Sequence, residues 1–206
     1  MTWIKTIRYE DAGPSLRKIY DRVKGPDNNV DNILMAHSLR PHSLTGHMTL
    51  YKNVLHHTGN ALPKWFLETI GVYVSHLNDC DYCVKHHFEG LKKLLKDDDR
   101  ADELLKAILS DDLDDLKEVL GKPYNNTISY IYSLTLRCKD LKEFGKIEIE
   151  MLKENFTDGE ILEINQVVSY FNYANRTVLG LGVNTDGDIL GLSPNDSSDP
   201  DNWSHK

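Results

Sequence analysis

Two cysteines and two histidines lie close together in the middle of the chain, in the segment Cys80-Asp81-Tyr82-Cys83-Val84-Lys85-His86-His87. If this segment begins a helix, Cys80, Cys83 and His87 fall at positions i, i+3 and i+7, on one face. The first turn of a helix has free N–H groups and the positive end of the helix dipole, and both lower the pKa of a thiol placed there. A second thiol three residues on can convert a sulfenic acid into a disulfide. The spacing therefore predicts redox-active dithiol chemistry.

Glu68 is the candidate partner of His87. Apolar periodicity predicts one helix before a turn centred near Asn78 and another after it. In an antiparallel hairpin, residues at equal distances from the turn face each other, and Glu68 precedes Asn78 by about as many residues as His87 follows it. A carboxylate bonded to an imidazole fixes its tautomer and raises its basicity. We therefore expect Glu68 and His87 to form a proton relay that serves the cysteines.

Two other interpretations of the cysteine pair stay open at this point. Cys80 and Cys83 could be half of a zinc site, with His86 or His87 as the third ligand, although no second Cys-x-x-Cys or His-x-x-x-His lies nearby. They could also be buried structural thiols. Cys138 lies far away inside a helical pattern, where we expect a small buried side chain.

The remaining histidines show no helical spacing typical of metal ligands. His86 is one position off the face of the cysteines, which favours a surface position. Five more are scattered between residues 37 and 57: His37, His42, His47, His56 and His57. Of these, His47 could line a pocket together with Tyr51, but a surface position is favoured.

Helical periodicity dominates the chain and predicts an all-α fold of antiparallel helical hairpins, with the Cys-x-x-Cys at a helix N-terminus. Thr157 and Glu160 form a capping box for a long last helix. We expect residues 1–183 to form one helical domain and 184–206 a polar tail, whose only large anchor is Trp203. The expected helices are a short one after Pro14, then 32–38, 41–57, 63–76, one from Cys80, segments around 104–109 and 113–120, and then 128–138, 147–155 and 158–179.

Composition and charge exclude several classes of protein. The chain has 206 residues, of which 40% are apolar and 27% charged, which is typical of a globular protein. Its net charge is −8, and residues 97–118 alone carry ten acidic against three basic residues, which makes nucleic-acid binding unexpected. No apolar run suits a membrane span or signal peptide, so a cytoplasmic location is expected. Three cysteines are too few for a disulfide scaffold.

The pattern Glu68-x11-Cys80-x2-Cys83-x3-His87 resembles the signature of the AhpD-like (alkylhydroperoxidase D) and carboxymuconolactone decarboxylase superfamily. The segment around the cysteines is especially similar to its peroxidase-related branch. The late segment 170–176, Tyr-Phe-Asn-Tyr-Ala-Asn-Arg, and the Gly-Leu-Gly-Val at 180–183 are similar too. In their order, these blocks span most of the chain, from about residue 3 to 186.

The resemblance implies an all-α protein that assembles as a trimer or hexamer and reduces a small hydroperoxide. By position, Cys83 matches the cysteine that attacks peroxide and Cys80 the resolving cysteine, while Glu68 and His87 match the proton relay. A thiol or dithiol partner would restore the pair, with no cofactor and no metal. The chain departs from the family pattern at Tyr82, where better-characterised members carry a histidine, and this leaves the strength of peroxidase activity open.

Two further alternatives concern function. Decarboxylase chemistry is disfavoured, because members with that activity generally lack the cysteine pair. A non-enzymatic helical oligomer that acts as a redox sensor or a zinc-binding module is the alternative from another class.

One face of the last predicted helix carries three polar residues, Asn172, Asn175 and Arg176. We expect them near the site or at a subunit interface, and a structural role is favoured for them.

Overall fold

The computed structural model describes residues 2–199 and 201–205, and this part of the chain is helical. It has no β-strand within these residues, apart from an isolated antiparallel bridge between Pro194 and His205. The all-α prediction is therefore confirmed. The helices are α1 (Pro14–Val23), α2 (Asn32–Ala36), α3 (Pro41–Leu55), α4 (Lys64–Leu77), α5 (Asp81–Leu95), α6 (Asp98–Leu109), α7 (Leu113–Leu120), α8 (Thr127–Leu136), α9 (Leu141–Leu152) and α10 (Asp158–Leu181).

Helix α4 is the centre of the fold. Every residue from 66 to 75 is buried, so this helix has no solvent-facing side over that length. A helix surrounded in this way must pack against neighbours on all its faces. It contacts α5, α8 and α10, and its core side chains Phe66 and Ile70 are 0% and 1% exposed.

The α4–α5 hairpin places the cysteines next to the end of α4. Asn78 ends α4, and Asp79 takes a left-handed conformation with a φ of 54°. The Cys80 N–H then donates to the Ser75 carbonyl oxygen at 2.9 Å. This tight turn reverses the chain, so that α5 runs back along α4 and its side chains reach those of α4.

Helix α10 begins at the predicted capping box. The Glu160 N–H donates to Thr157 Oγ1 at 3.3 Å, and the Thr157 N–H donates to Glu160 Oε2 at 2.8 Å. Gly182, in a left-handed conformation, ends the helix two residues later than predicted. The predicted apolar face is buried throughout: Ile161, Ile164, Val167, Val168, Phe171 and Ala174.

The structure corrects two predictions in the middle of the chain. Helix α8 ends at Leu136, and Cys138 lies exposed in a short 3₁₀ turn instead of in a buried helix. The non-helical backbone of Arg137, whose side chain pairs with Asp140 at 3.1 Å, breaks the helix before Cys138. Helix α9 begins at Leu141, six residues earlier than predicted, because polar residues extend it beyond its apolar stretch.

The acidic region also differs from its prediction. Helix α6 begins at Asp98, before its first apolar residue, because Asp97 caps it by accepting from the Arg100 N–H at 3.0 Å. Asp112 caps α7 in the same way. Carboxylates are favourable at helix N-termini, so part of the acidic run serves to start two helices.

The tail after α10 lies against the helices without forming one itself. Trp203 is 1% exposed and lies under the Arg22 guanidinium at 3.5 Å from its ring centroid, so the predicted anchor is present. In the described residues, no helix is both long and apolar enough to cross a membrane.

Gly71 and Gly46 provide a matched test of the packing between α4 and α10. A methyl group at Gly71 would overlap the Phe171 ring, whereas nothing lies near a methyl group at Gly46. We expect Gly71→Ala to lower the free energy of unfolding by about 1–3 kcal/mol through overpacking. Gly46→Ala, at an exposed helical position, should raise it by about 0.5–1 kcal/mol. Urea unfolding measures both values, and equal effects would contradict the close packing.

Candidate active site

The two cysteines flank the first turn of α5. Cys80 immediately precedes the helix, and Cys83 is its third residue. Both are free thiols and are 1% and 2% exposed. They pack with Ala36 of α2 and Val178 of α10, so the thiols lie between three helices and away from solvent.

Negative charge is favoured on Cys80 rather than on Cys83. Hydrogen bonding from the Cys83 thiol lowers the pKa of Cys80, and this outweighs the opposing effect of burial. Donating to Cys80 raises the pKa of Cys83 well above its usual value, and burial raises it further. Of the two thiols, Cys80 therefore gives up its proton more readily and Cys83 less readily.

Asn175 supports this pair from α10. It is fully buried, and its Nδ2 donates to Ser75 Oγ at 3.0 Å while its Oδ1 accepts from Asn78 Nδ2 at 3.0 Å. Its side chain also hydrogen-bonds to both sulfurs and lowers the pKa of both thiols. Asn172, one turn earlier, accepts from Asn78 and from Arg176 at 3.2 and 2.7 Å. The three polar residues of α10 thus hold the turn that carries the cysteines.

Glu68 and His87 are in contact, as the hairpin register predicts. His87 Nδ1 lies 2.7 Å from Glu68 Oε2. The Glu68 carboxyl is buried, which by itself would raise its pKa, but attraction to His87 and the hydrogen bond to it leave the pKa below its ordinary value. Because Nδ1 donates to this carboxylate, Nε2 is the basic nitrogen of a neutral His87. The edge of the ring packs on Phe171, with centroids 4.5 Å apart.

A cavity of about 60 Å³ lies beside these residues. Cys83, Glu68 and His87 line it, whereas Cys80 does not. On α5, Cys83 and His87 are four residues apart, which places them one above the other on the helix. The cavity therefore gives a small molecule access to Cys83, next to the relay pair.

Aromatic side chains form much of the remaining wall. Tyr51 stacks on Tyr170 with centroids 5.5 Å apart, and His47 lies beside both. Burial lowers the pKa of His47 to about 3, so its ring is uncharged near neutral pH. His47 and Tyr51 thus line the cavity together. The surface position that the sequence favoured for His47 is wrong.

Tyr82, His86 and Asp188 form a second polar cluster next to the cavity. The Tyr82 hydroxyl donates to Asp188 Oδ2 at 2.7 Å, and His86 Nε2 lies 3.2 Å from the same oxygen. The surface position predicted for His86 is wrong: the residue is buried, because Asp188 of the tail covers it. Burial and the nearby carboxylate raise the pKa of Tyr82 well above its ordinary value. Tyr82 therefore cannot titrate near neutral pH as a histidine at this position would.

Asp31 adds a titratable group to the cavity wall. It precedes α2, but its side chain does not cap the helix and points to the cavity instead. Burial raises the pKa of Asp31 to about 7, against a partly compensating attraction to His86 and with a further rise from Asp188. The carboxyl therefore keeps a proton close to neutral pH.

Sequence patterns did not point to Asp31 or Asp188. Both lie in loops without hydrophobic periodicity, and Asp188 is 101 residues beyond His87. The one available signal is Tyr82, since a family histidine replaced by a phenol suggests that its surroundings differ as well.

No group of three or more potential metal-ligating side chains (His, Cys, Asp, Glu) is found within residues 2–199 and 201–205. The zinc alternative for Cys80 and Cys83 therefore gains no support from this part of the chain.

Comparison with known proteins gives a family match and similar folds. Residues 41–115 match the model of the Carboxymuconolactone decarboxylase family, and this range includes Glu68, both cysteines and His87. No curated protein matches the chain. An uncharacterized peroxidase-related protein from Ralstonia eutropha, described as an alkylhydroperoxidase AhpD core, is similar in structure, with a TM-score of 0.73 and 19% identity over 89% of this chain and 92% of that one.

A second uncharacterized peroxidase-related protein, from Silicibacter sp., has a TM-score of 0.67 and 20% identity over 87% of this chain and 91% of that one. At such identities the likeness concerns the fold alone. Sequence and fold nevertheless agree with the resemblance that the cysteine motif predicts.

Asp31→Asn tests the buried acid through the pH dependence of stability. The carboxyl binds its proton more tightly in the folded state, with a pKa of about 7 against an ordinary 3.8, so its burial lowers stability progressively as pH rises between these values. An uncharged amide removes this loss. We expect the variant to melt several degrees higher than wild type at pH 8 and at nearly the same temperature at pH 4, with about 4 kcal/mol as the upper limit of the gain.

Thermal unfolding at both pH values measures the effect. Asp11→Asn, at an exposed carboxylate, is the control and should change the two melting temperatures equally. A gain for Asp31→Asn that does not depend on pH would contradict the assignment.

Proposed function

We propose that this chain, which matches the Carboxymuconolactone decarboxylase family model over residues 41–115 and shares the fold of AhpD-like proteins, is a thiol-dependent peroxidase. Cys83 is the attacking thiol and Cys80 the resolving one. The observation that supports it is the cavity, which Cys83 lines next to His87 and Glu68 while Cys80 stays outside it. A decarboxylase would have no use for this dithiol.

His87 is the base that the first step requires. The proton on Cys83 is held tightly, so attack needs an acceptor, and His87 lies one helical turn away with Glu68 stabilising its cation. The sulfur attacks the terminal peroxide oxygen, the O–O bond breaks, and the alkoxide leaves with the bonding electron pair. The proton passes from Cys83 through His87 to the alkoxide, giving Cys83 sulfenic acid and an alcohol. Asp31, protonated near neutral pH, is a second donor on the cavity wall.

Cys80 suits the second step. Its lowered pKa makes it the better thiolate of the pair. The thiolate attacks the sulfenic sulfur, the S–O bond breaks, and the hydroxide takes a proton from solvent to leave as water. Two electrons have then passed from the two thiols to the peroxide. Two thiol groups of a reducing partner return the disulfide to the dithiol and become a disulfide themselves.

Self-association as a trimer or hexamer, in the cytoplasm, completes the proposal. Helix α9 supports it with an apolar row of exposed side chains at i, i+3 and i+7, which are Phe144, Ile147 and Met151. Such rows are costly to leave in water and are typical of contact surfaces.

Stopped-flow oxidation of the reduced protein by a hydroperoxide tests the attacking thiol. We expect wild type to form the Cys80–Cys83 disulfide, Cys83→Ser not to react, and Cys80→Ser to stop at a sulfenic acid that dimedone traps. Cys138→Ser, at the exposed third cysteine, is the matched control and should behave like wild type. If wild type and Cys83→Ser react equally slowly, the peroxidase proposal fails. A disulfide that forms once without turnover on added thiol would favour the redox sensor.

Glu68→Gln tests the relay. The amide keeps the shape of the side chain but cannot stabilise a His87 cation, so the rate of Cys83 oxidation should fall about 10²-fold or more. The pH profile of that rate should change as well, because the variant lacks the ionisable Glu68 carboxyl, and a purely structural role would leave the profile in place. Glu118→Gln, at an exposed glutamate of α7, is the control. An unchanged profile in Glu68→Gln would contradict the relay.

A further inference from the structure

Residues 191–194 of the tail, which we call the strap, form one wall of the active-site cavity. Gly191, Leu192, Ser193 and Pro194 all line it, and Gly191 packs directly against Glu89 of α5, the helix that also carries Cys83 and His87. A polar, loop-forming tail is thus part of the site.

The strap is held firmly on its N-terminal side. The Asp188 side chain is 1% exposed and accepts from the Tyr82 hydroxyl at 2.7 Å and from the Asn32 N–H at 3.0 Å. Lys93 Nζ of α5 donates to the Gly191 carbonyl oxygen at 2.9 Å. A buried carboxylate with several donors is costly to pull away, because it would leave those donors unsatisfied.

The strap is also held on its C-terminal side. Buried Lys52 donates to the Asn195 carbonyl oxygen, and Lys64 pairs with Asp196 at 2.7 Å. The Ser197 N–H donates to the His56 carbonyl oxygen at 3.2 Å. Beyond these contacts, buried Trp203 fixes the end of the tail. The strap therefore spans the cavity between two fixed points.

Close backbone contact fixes its position as well. Gly191 has a φ of 73°, and a Cβ there would lie 2.8 Å from the Glu89 Cβ and 3.1 Å from its carbonyl carbon. Leu192 fits against Gly25, where a Cβ would come within 2.5 Å of its Cδ1. These fits seat the strap closely against α5 and against Gly25 after α1.

The cavity is small. A cavity of about 60 Å³ corresponds to about four water molecules at roughly 15 Å³ of such volume for each. Hydrogen peroxide and short alkyl hydroperoxides are of this size, whereas a phenyl or fatty acyl group exceeds it.

We infer that the strap sets the substrate class of the site, by admitting compact hydroperoxides and excluding those with bulky organic groups, with Leu192 as the residue that limits size. The peroxide in this statement rests on the proposed function. The exclusion of bulky molecules from Cys83 does not, and a reagent other than peroxide tests it.

The test uses the full-length reduced protein in a Cys138→Ser background, which removes the exposed thiol. One measurement is the ratio of oxidation rates with hydrogen peroxide and cumene hydroperoxide. The other is the ratio of thiol alkylation rates with N-methylmaleimide and N-pyrenylmaleimide, which share one reactive group and differ in bulk. Mass spectrometry assigns the alkylated cysteine. Leu192→Ala widens the cavity, and Ser198→Ala, at an exposed position of the same tail, is the matched control.

We expect wild type and Ser198→Ala to prefer the small reagent in both measurements, and Leu192→Ala to lower both ratios by about tenfold or more, as is typical when a pocket contact of a few methyl groups is removed. Trp203→Ala, which frees the end of the tail, should also lower both rate ratios. It is the second test of the strap in case the neighbouring residues fill the space left by Leu192→Ala. Ratios that stay unchanged in both variants would overturn the inference. Altered maleimide ratios without any peroxide reduction would uphold the strap and reject the peroxidase.

Discussion

The structure depends on a carboxylate buried on its central helix. Glu68 lies on α4, within ten consecutive buried residues. An ionised carboxylate there is strongly unfavourable unless a partner compensates it, and losing that partner would cost about 3–5 kcal/mol. His87 is this partner, at 2.7 Å. The pairing ties α5 to α4 at one register, and the same register brings Cys83 to the cavity next to His87.

The two cysteines are chemically different because of their positions in that hairpin. The thiol pKa is lowered for Cys80, at the turn, and raised for Cys83, which lies within the helix and faces the cavity. Asn175 contacts both sulfurs and the turn at once, so α10 takes part in this division. In the proposed mechanism Cys83 needs a nearby base for its proton, and the buried Glu68–His87 pair in the same site suits that role.

Tyr82 links the motif to the tail. Where better-characterised relatives are expected to have a histidine, this phenol donates to Asp188 and so fastens the segment that leads to the strap. His86 contacts the same carboxylate. Tyr82 thus does not titrate near neutral pH, but it fixes the tail segment that forms one wall of the cavity. Asp31 supplies a different ionisable group to the cavity.

The sequence by itself determined the features that depend on local spacing. The roughly 3.6-residue period of apolar side chains located the helices, and the capping box at Thr157 located the start of α10. Equal distances from the turn paired Glu68 with His87. Each of these results follows from the geometry of a helix or of a hairpin. Helix ends were less certain where polar residues extend or break a helix, as at Leu141 and Arg137.

Only the tertiary structure decided the burial of His86, the high pKa of Asp31 and the closing of the cavity by the strap. Each of these depends on residues that lie far apart in the sequence and share no periodicity, and on how much water the folded tail excludes.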